Sequence, residues 1–187
     1  MKLHHLLTTA VLSLSLAAGS ALAQDEKAKK QAEIRKVTAT SLDRFYKADP
    51  KLKEAVANAP GYAIFTTYGF SFLIGGAGGS GLATDNKTKQ VTYMSMAQAS
   101  AGLQVGAAQS ETLIIFKNAA ALQKFIDKGW EASGGAVAQA GAGGKSAGPD
   151  AGAQVIADAS YYVLTPNGLQ AGVAVAGTKY WKDKDLN

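Results

Sequence analysis

Residues 69–81 have the sequence Gly69-Phe-Ser-Phe-Leu-Ile-Gly-Gly-Ala-Gly-Gly-Ser-Gly81, and five of the seven residues from Gly75 to Gly81 are glycine. Glycine has no Cβ and loses much backbone entropy when ordered, so a glycine cluster in apolar surroundings indicates close backbone approach or positive φ angles. Glycines recur at similar spacing in 102–106 and 168–177. The pattern predicts strands that keep one face small.

Two glycine segments match nucleotide-binding motifs only in part. Gly76-x-Gly78-x-x-Gly81 has the letters of a dinucleotide fingerprint, but that motif must open a helix, and the residues that follow favour a strand end and a turn. Gly143-Gly-Lys-Ser146 is similar to the end of a phosphate loop, yet Gln139 stands where the motif needs glycine. We interpret both as structural or loop glycines.

The first 23 residues have the features of a signal peptide. They combine a short positive start, an apolar run from Leu6 to Ala18 and the small-x-small site Ala21-Leu-Ala23. A membrane anchor is the alternative, but the run is short and contains Ser and Thr. We therefore expect cleavage near Gln24 and a periplasmic or secreted protein.

The composition of the remaining residues, about 164, restricts the chemistry. His4 and His5 leave with the signal peptide, so the mature chain has neither His nor Cys. Imidazole acid–base catalysis, thiol nucleophiles and the usual zinc sites are excluded, and we expect no enzyme activity and no cofactor. Eighteen basic and 14 acidic residues remain, which favours weak attraction to anionic surfaces and does not call for nucleic acid.

Two helices are predicted at the mature N-terminus, within a helical segment 24–59. Ile34, Val37, Ser41 and Phe45 form one stripe of a helix from Asp25 to about Ala48. Asp49-Pro50 predicts an N-cap followed by proline at the first helical position, and Pro60-Gly61 ends this second helix.

The rest of the chain, residues 60–187, is predicted to be a glycine-rich β domain with one helix. Strands are expected at 62–68, 91–94, 102–108, 112–116 and 130–138, and residues 102–108 alternate between a bulky and a small face. A hairpin turn at Pro166-Asn-Gly168 joins a strand at 154–164 to a long partner from Leu169 to about Trp181. Asn118 caps a helix that ends at Gly129, and 140–152 is a surface loop. The predicted fold class is α+β, with N-terminal helices before a curved, mostly antiparallel sheet or barrel and one interior helix.

Together these residues resemble the SYLF lipid-binding domain family, in the exported bacterial form but without a lipobox cysteine. The resemblance depends on the order and spacing of five short motifs. They are Ala59-x-Gly61-x-x-x-Phe65, Gly75-Gly76-x-x-Gly79-x-Gly81, Ala101-Gly-Leu-Gln-Val-Gly106 with Gln109-Ser110, Phe125 before Gly129-Trp-Glu131, and Gly168-Leu with Gly177-Thr-Lys179.

The resemblance implies phospholipid binding and, for eukaryotic relatives, contact with actin and its regulators. An exported protein would meet no actin, so we expect an anionic phospholipid or membrane surface as the partner; the sequence does not indicate an oligomeric state. The candidate lipid contacts are cationic or aromatic residues near the two ends of the mature chain: Lys29, Lys30, Arg35, Lys36, Lys179, Trp181 and Lys182. Tyr180 is expected to be exposed beside Trp181.

Several alternatives stay open on the sequence. The N-terminal helix could insert Ile34, Val37 and Phe45 into a bilayer, or it could pack them on the sheet. Asp127 and Glu131 could form a catalytic carboxylate pair, but solvated charges at a helix end are the simpler interpretation. A structural or stress-related envelope protein that acts through protein assembly is the alternative function. An outer-membrane barrel is disfavoured by the helices and by the Asp-Leu-Asn end.

Overall fold

The computed structural model describes residues 4–72, 76–99, 110–131, 158–166, 168–171 and 178–187. Side chains are described for 24–67, for 78–97 and for all of the described ranges after residue 109. The predictions for 102–108, for residues 132–138 of the strand at 130–138, for the loop 140–152, for the start of the strand at 154–164 and for the segment Gly143–Ser146 lie outside the described residues.

The described residues form three helices and eight strands. The helices are α1 His4–Ala48, α2 Lys51–Asn58 and α3 Ala119–Lys128. The strands are β1 Gly61–Phe72, β2 Gly76–Asp85, β3 Val91–Ala99, β4 Glu111–Phe116, β5 Trp130–Glu131, β6 Ala159–Thr165, β7 Gly168–Ala171 and β8 Thr178–Lys182. The predicted α+β fold class is confirmed. The signal peptide and its cleavage stay predictions; in the uncleaved chain, α1 extends across residue 23.

All eight strands belong to one antiparallel sheet with the order β5-β8-β3-β2-β1-β4-β6-β7. β7 and β8 stand near opposite borders of this sheet, although only six residues separate them along the chain. An extended segment of that length spans roughly 25 Å, so the two borders must approach each other. The sheet is therefore curled into a half-barrel.

The predicted long strand from Leu169 to about Trp181, the partner of β6, is described only at its two ends. Gly168–Ala171 pairs with β6, and Thr178–Lys182 pairs with β3 on the other side of the sheet; residues 172–177 lie outside the described residues, so the continuity of the strand stays a prediction. The hairpin itself is confirmed, because Thr165 pairs with Gly168 across a two-residue loop. Local turn chemistry fixes the hairpin, but the partner of β8 depends on the curl of the whole sheet.

Helices α1 and α2 cover one face of the sheet. Phe45 of α1 and Leu52 and Val56 of α2 are buried against Ile64 and Leu113. Helix α2 begins at Lys51, so Pro50 occupies the N-cap position, one residue later than predicted for Asp49. The Asp49 carboxylate still accepts a hydrogen bond from Lys51 N (3.0 Å) at this end of the helix. The apolar stripe predicted for α1 thus joins a core between helix and sheet.

Helix α3 covers the opposite face of the sheet. Its start and end agree with the prediction: Asn118 Oδ1 accepts from Ala121 N (2.8 Å), and Gly129 ends the helix with φ 69°. Phe125 of this helix contacts Phe65 and Tyr180, with ring centroids 6.2 and 5.7 Å away. These rings form the centre of the larger core.

The glycine-rich segment 76–81 is part of strand β2, so the dinucleotide fingerprint opens no helix. Gly81 pairs with Phe65 across the sheet. A Cβ at Gly81 would collide with the Phe65 ring and with the Ile64 carbonyl oxygen. The absence of a side chain at Gly81 on β2 therefore leaves space for the Phe65 ring on β1.

Candidate binding surface

The sheet-facing stripe of α1 is occupied by packing. Ile34 lies in a small core with Leu82, Tyr93 and Leu186, and Phe45 is fully buried. Val37, the third residue considered for membrane insertion, is half-buried. Of the two alternatives for this helix, the structure therefore shows the packed one.

Hydrogen bonds connect the part of α1 around residues 27–31 to the C-terminal residues. Lys27 Nζ donates to the Asn187 carbonyl (2.9 Å), and Gln31 Nε2 donates to the Leu186 carbonyl (2.7 Å). Asn187 in turn forms two hydrogen bonds with the backbone of Tyr93: its Oδ1 accepts from Tyr93 N, and its Nδ2 donates to the Tyr93 carbonyl. Within residues 24–48, whose side chains are described, α1 thus contacts the rest of the domain near both ends.

Three of the four candidate contacts on α1 present their charge to solvent, and the fourth is partly engaged. Lys30 and Lys36 are exposed, and Lys29 forms an exposed ion pair with Asp25 (2.9 Å). Arg35 donates from Nε to the Tyr93 hydroxyl (2.6 Å), and its guanidinium lies 5.3 Å from the centre of the Tyr93 ring. Arg35 therefore positions α1 on the sheet and is a weaker candidate for lipid contact.

Strand β8 divides its candidate residues between two faces, because side chains alternate along a strand. Tyr180 is buried in the core on the α3 side, so the prediction that it is exposed was wrong. Its neighbours Lys179 and Trp181 lie on the face that α1 covers, and Trp181 is 39% exposed. Lys182 lies on the same face of the strand as Tyr180. Six of the seven candidates consequently share one side of the sheet.

The burial of Tyr180 is stabilised by a polar contact inside the apolar core. The hydroxyl groups of Tyr161 and Tyr180 are 2.7 Å apart. Burial raises the pKa of both phenols above the usual value near 10. Both hydroxyls are thus neutral at physiological pH, and Tyr180 belongs to the packing of the core.

The remaining charges near β8 are weakly held. Lys179 Nζ lies 3.5 Å from Glu131 Oε2, and both side chains are about 60% exposed. An exposed pair of this kind contributes little to stability, so Lys179 is available to another anion. Asp127 accepts from the exposed amide of Gln123 (3.0 Å), and its carboxylate and that of Glu131 are solvated charges, as the simpler interpretation predicted.

A pocket between α1, the middle of β1 and the start of β4 was missed by sequence reasoning. Its volume is about 370 Å³, and it is lined by Glu33, Lys36, Val37, Thr40, Arg44, Thr66, Thr67, Ser110 and Glu111. The one signal for it in the sequence is the acid Glu111 at the head of the apolar run 112–116. The pocket is the largest departure from the site that the sequence predicts.

Two of the lining residues, Arg44 and Glu111, form an ion pair. Arg44 Nη1 lies 2.7 Å from Glu111 Oε1, and the Glu111 side chain is only 12% exposed. Glu111 Oε2 is buried and has no hydrogen-bond partner among the described residues. The carboxylate therefore depends on Arg44, whose side chain is half exposed and whose other N–H groups contact no acceptor among the described residues.

Metal ligation and membrane spanning find no support in the described part of the chain. Within it, no group of three or more His, Cys, Asp and Glu side chains has the arrangement needed to hold a metal ion. The described helical residues also include no stretch of sufficient length and hydropathy to cross a bilayer.

Comparison with known proteins identifies the class of this domain. Residues 97–187 match the family model described as Ysc84, Las17-binding protein actin regulator, and the chain belongs to this SYLF family of binding domains. It is similar to Beta cell expansion factor A of Aeromonas veronii, with 33% identity over 149 residues, or 79% of this chain. The chain spans 55% of the length of that curated relative. The predicted family is confirmed.

Proposed function

We propose that the protein is an exported, non-enzymatic phospholipid-binding domain that acts at a membrane surface of the cell envelope. The observation that carries the proposal is the exposed set of cations and Trp181 on the α1 side of the sheet. Lysines near an anionic surface contribute roughly 1 kcal/mol each, and a tryptophan ring with a polar edge suits the interface. Membership of a family of lipid- and actin-regulator-binding domains supports a binding role over catalysis.

The binding element in this proposal is the folded domain with α1 packed on the sheet. Ile34 and Phe45 are already buried, so insertion of the helix would expose the apolar residues beneath it. The packed helix instead presents its outer face, where lysines are interspersed with acidic residues. Attraction to the membrane is consequently electrostatic, moderate and sensitive to salt.

Actin regulation is what the name of the matched family states. In our proposal the protein is exported, and an exported chain would meet no actin. The second candidate function is assembly with another envelope protein. The short strand β7 favours it: β7 stands at a border of the sheet that the described residues form, its residues are largely exposed, and a border strand can add a further strand.

Co-sedimentation with vesicles tests the proposed function. We expect the protein to pellet with vesicles that contain phosphatidylglycerol at low salt, and to be released largely at high salt. The matched variants Lys30→Gln and Lys36→Gln should reduce the bound fraction, whereas Lys117→Gln, at an exposed lysine between β4 and α3, should leave it unchanged. A protein that stays in the supernatant with every vesicle at low salt would refute phospholipid binding.

A further inference from the structure

From the geometry of the pocket between α1, β1 and β4 we infer that it is a site for a phosphodiester that carries a primary ammonium group, as in a phosphoethanolamine head group. The inference rests on the proposed function and makes it more specific, since it names a head group and the residues that receive it. The pocket volume, about 370 Å³, falls within the range of roughly 300–1,000 Å³ that is usual for small-molecule sites.

The charges on the pocket wall favour a zwitterion. Arg44 and Glu111 neutralise each other across 2.7 Å. The other two charged residues of the lining, Glu33 and Lys36, form no ion pair with any residue of the described part of the chain. A ligand in the pocket therefore meets one free anion, one free cation and the spare N–H groups of Arg44.

The spacing along α1 places these groups in an order that suits the ligand. Lys36, Thr40 and Arg44 are four residues apart and lie on one stripe of the helix, so a phosphate above Thr40 is within reach of both cations. Glu33 precedes Lys36 by three residues, or about 4.5 Å along the helix axis. A two-carbon linker between phosphate and ammonium covers a distance of this size.

Two hydroxyl groups of the pocket lining, those of Thr67 and Thr40, already form hydrogen bonds with backbone groups, so recognition rests mainly on the charged residues. Thr67 Oγ1 donates to the Ser110 carbonyl (2.7 Å) and accepts from Ser110 N (2.8 Å). Thr40 Oγ1 donates to the Lys36 carbonyl (3.0 Å). Glu33 is therefore the residue that distinguishes a zwitterionic head group from one with a net negative charge.

Two soluble head groups test the inference by NMR titration of the purified protein. We expect glycerophosphoethanolamine to bind more tightly than glycerophosphoglycerol, which has the same phosphodiester and no ammonium. Glu33→Gln should lower the affinity for glycerophosphoethanolamine by about fivefold, the effect of one exposed charge pair. The same variant should raise the affinity for glycerophosphoglycerol. Lys36→Gln should weaken both, and the control Glu54→Gln, at an exposed position of α2 outside the lining, should change neither.

The same variants with vesicles separate this inference from the proposed function. Loss of vesicle binding with intact glycerophosphoethanolamine binding would refute the membrane role and leave a site for a soluble phosphodiester. Vesicle binding without any response of the pocket residues to either head group would refute the pocket and leave the membrane role. Equal affinity for the two head groups, unchanged in Glu33→Gln, would also overturn the inference.

Discussion

Replacement of Phe65 by alanine is expected to lower the free energy of unfolding by about 3–5 kcal/mol, the usual cost of removing a fully buried aromatic ring. Phe65 is 0% exposed, and its ring centre lies 4.6 Å from that of Tyr180 and 6.2 Å from that of Phe125. It thus joins a central strand to β8 and to α3. The cost is a large share of the roughly 5–15 kcal/mol that stabilises a typical domain.

Thermal unfolding measures this effect, with Trp181→Ala as the matched control. For a chain of this size, each kcal/mol shifts the melting temperature by roughly 2–4 °C, so Phe65→Ala should melt roughly 6–20 °C lower. Trp181 is also a large aromatic residue, but it is 39% exposed, and its removal should change the melting temperature far less. Equal losses in the two variants would show that the Phe65 cluster is not the centre of the core.

Addition of a single methyl group at Gly81 is expected to be the second most damaging change. The new Cβ would overlap the Phe65 ring and the Ile64 carbonyl oxygen on the paired strand. Since one of these neighbours is backbone, the clash cannot be relieved by side-chain rotation alone. Overpacking of this kind costs about 1–3 kcal/mol and at times more, and we expect Gly81→Ala to reach the upper end.

Gly78→Ala is the control for Gly81→Ala, because it changes the same residue type in the same strand. The atom nearest to a Cβ at Gly78 is the Met96 carbonyl oxygen at 3.9 Å, an ordinary contact. The alanine there should be tolerated or slightly stabilising, since it restricts the unfolded chain. Urea unfolding of the two variants compares them directly, and a similar stability for both would contradict the role assigned to Gly81 in making room for the Phe65 ring.

Features that depend on a few neighbouring residues were predictable from the sequence. The Asn118 cap, the Gly129 end of α3, the polar turn after β2 and the Pro166–Gly168 hairpin all follow from side-chain and backbone chemistry within a few positions. Strand β4 was also expected from its continuous apolar run, and all of its residues are buried. The patterns of these parts also predicted the curved α+β fold, and the family motifs agreed with it.

Features that depend on distant residues were not predictable. Tyr180 was expected at the surface because lysines surround it in sequence, but the alternation of β8 against β3 turns its ring into the core. The Arg44–Glu111 pair joins residues 67 positions apart. No local pattern connects them, so the pocket between α1 and the sheet is visible only once the sheet is assembled.

The position of α1 decides whether the proposed membrane surface is correct, and a cross-link tests it. The chain has no cysteine, so the pair Lys27→Cys and Asn187→Cys provides the only thiols, at two residues joined by a 2.9 Å hydrogen bond. A short bis-maleimide then holds the helix on the domain. The control is the same double variant treated with a monofunctional maleimide.

Co-sedimentation of the cross-linked protein with phosphatidylglycerol vesicles at low salt is the most direct measurement. If the packed domain is the element that binds lipid, the cross-linked protein and the control should pellet to the same extent. If the control pellets and the cross-linked protein stays in the supernatant, α1 must leave the sheet to reach the bilayer, and lipid binding by the packed domain is contradicted.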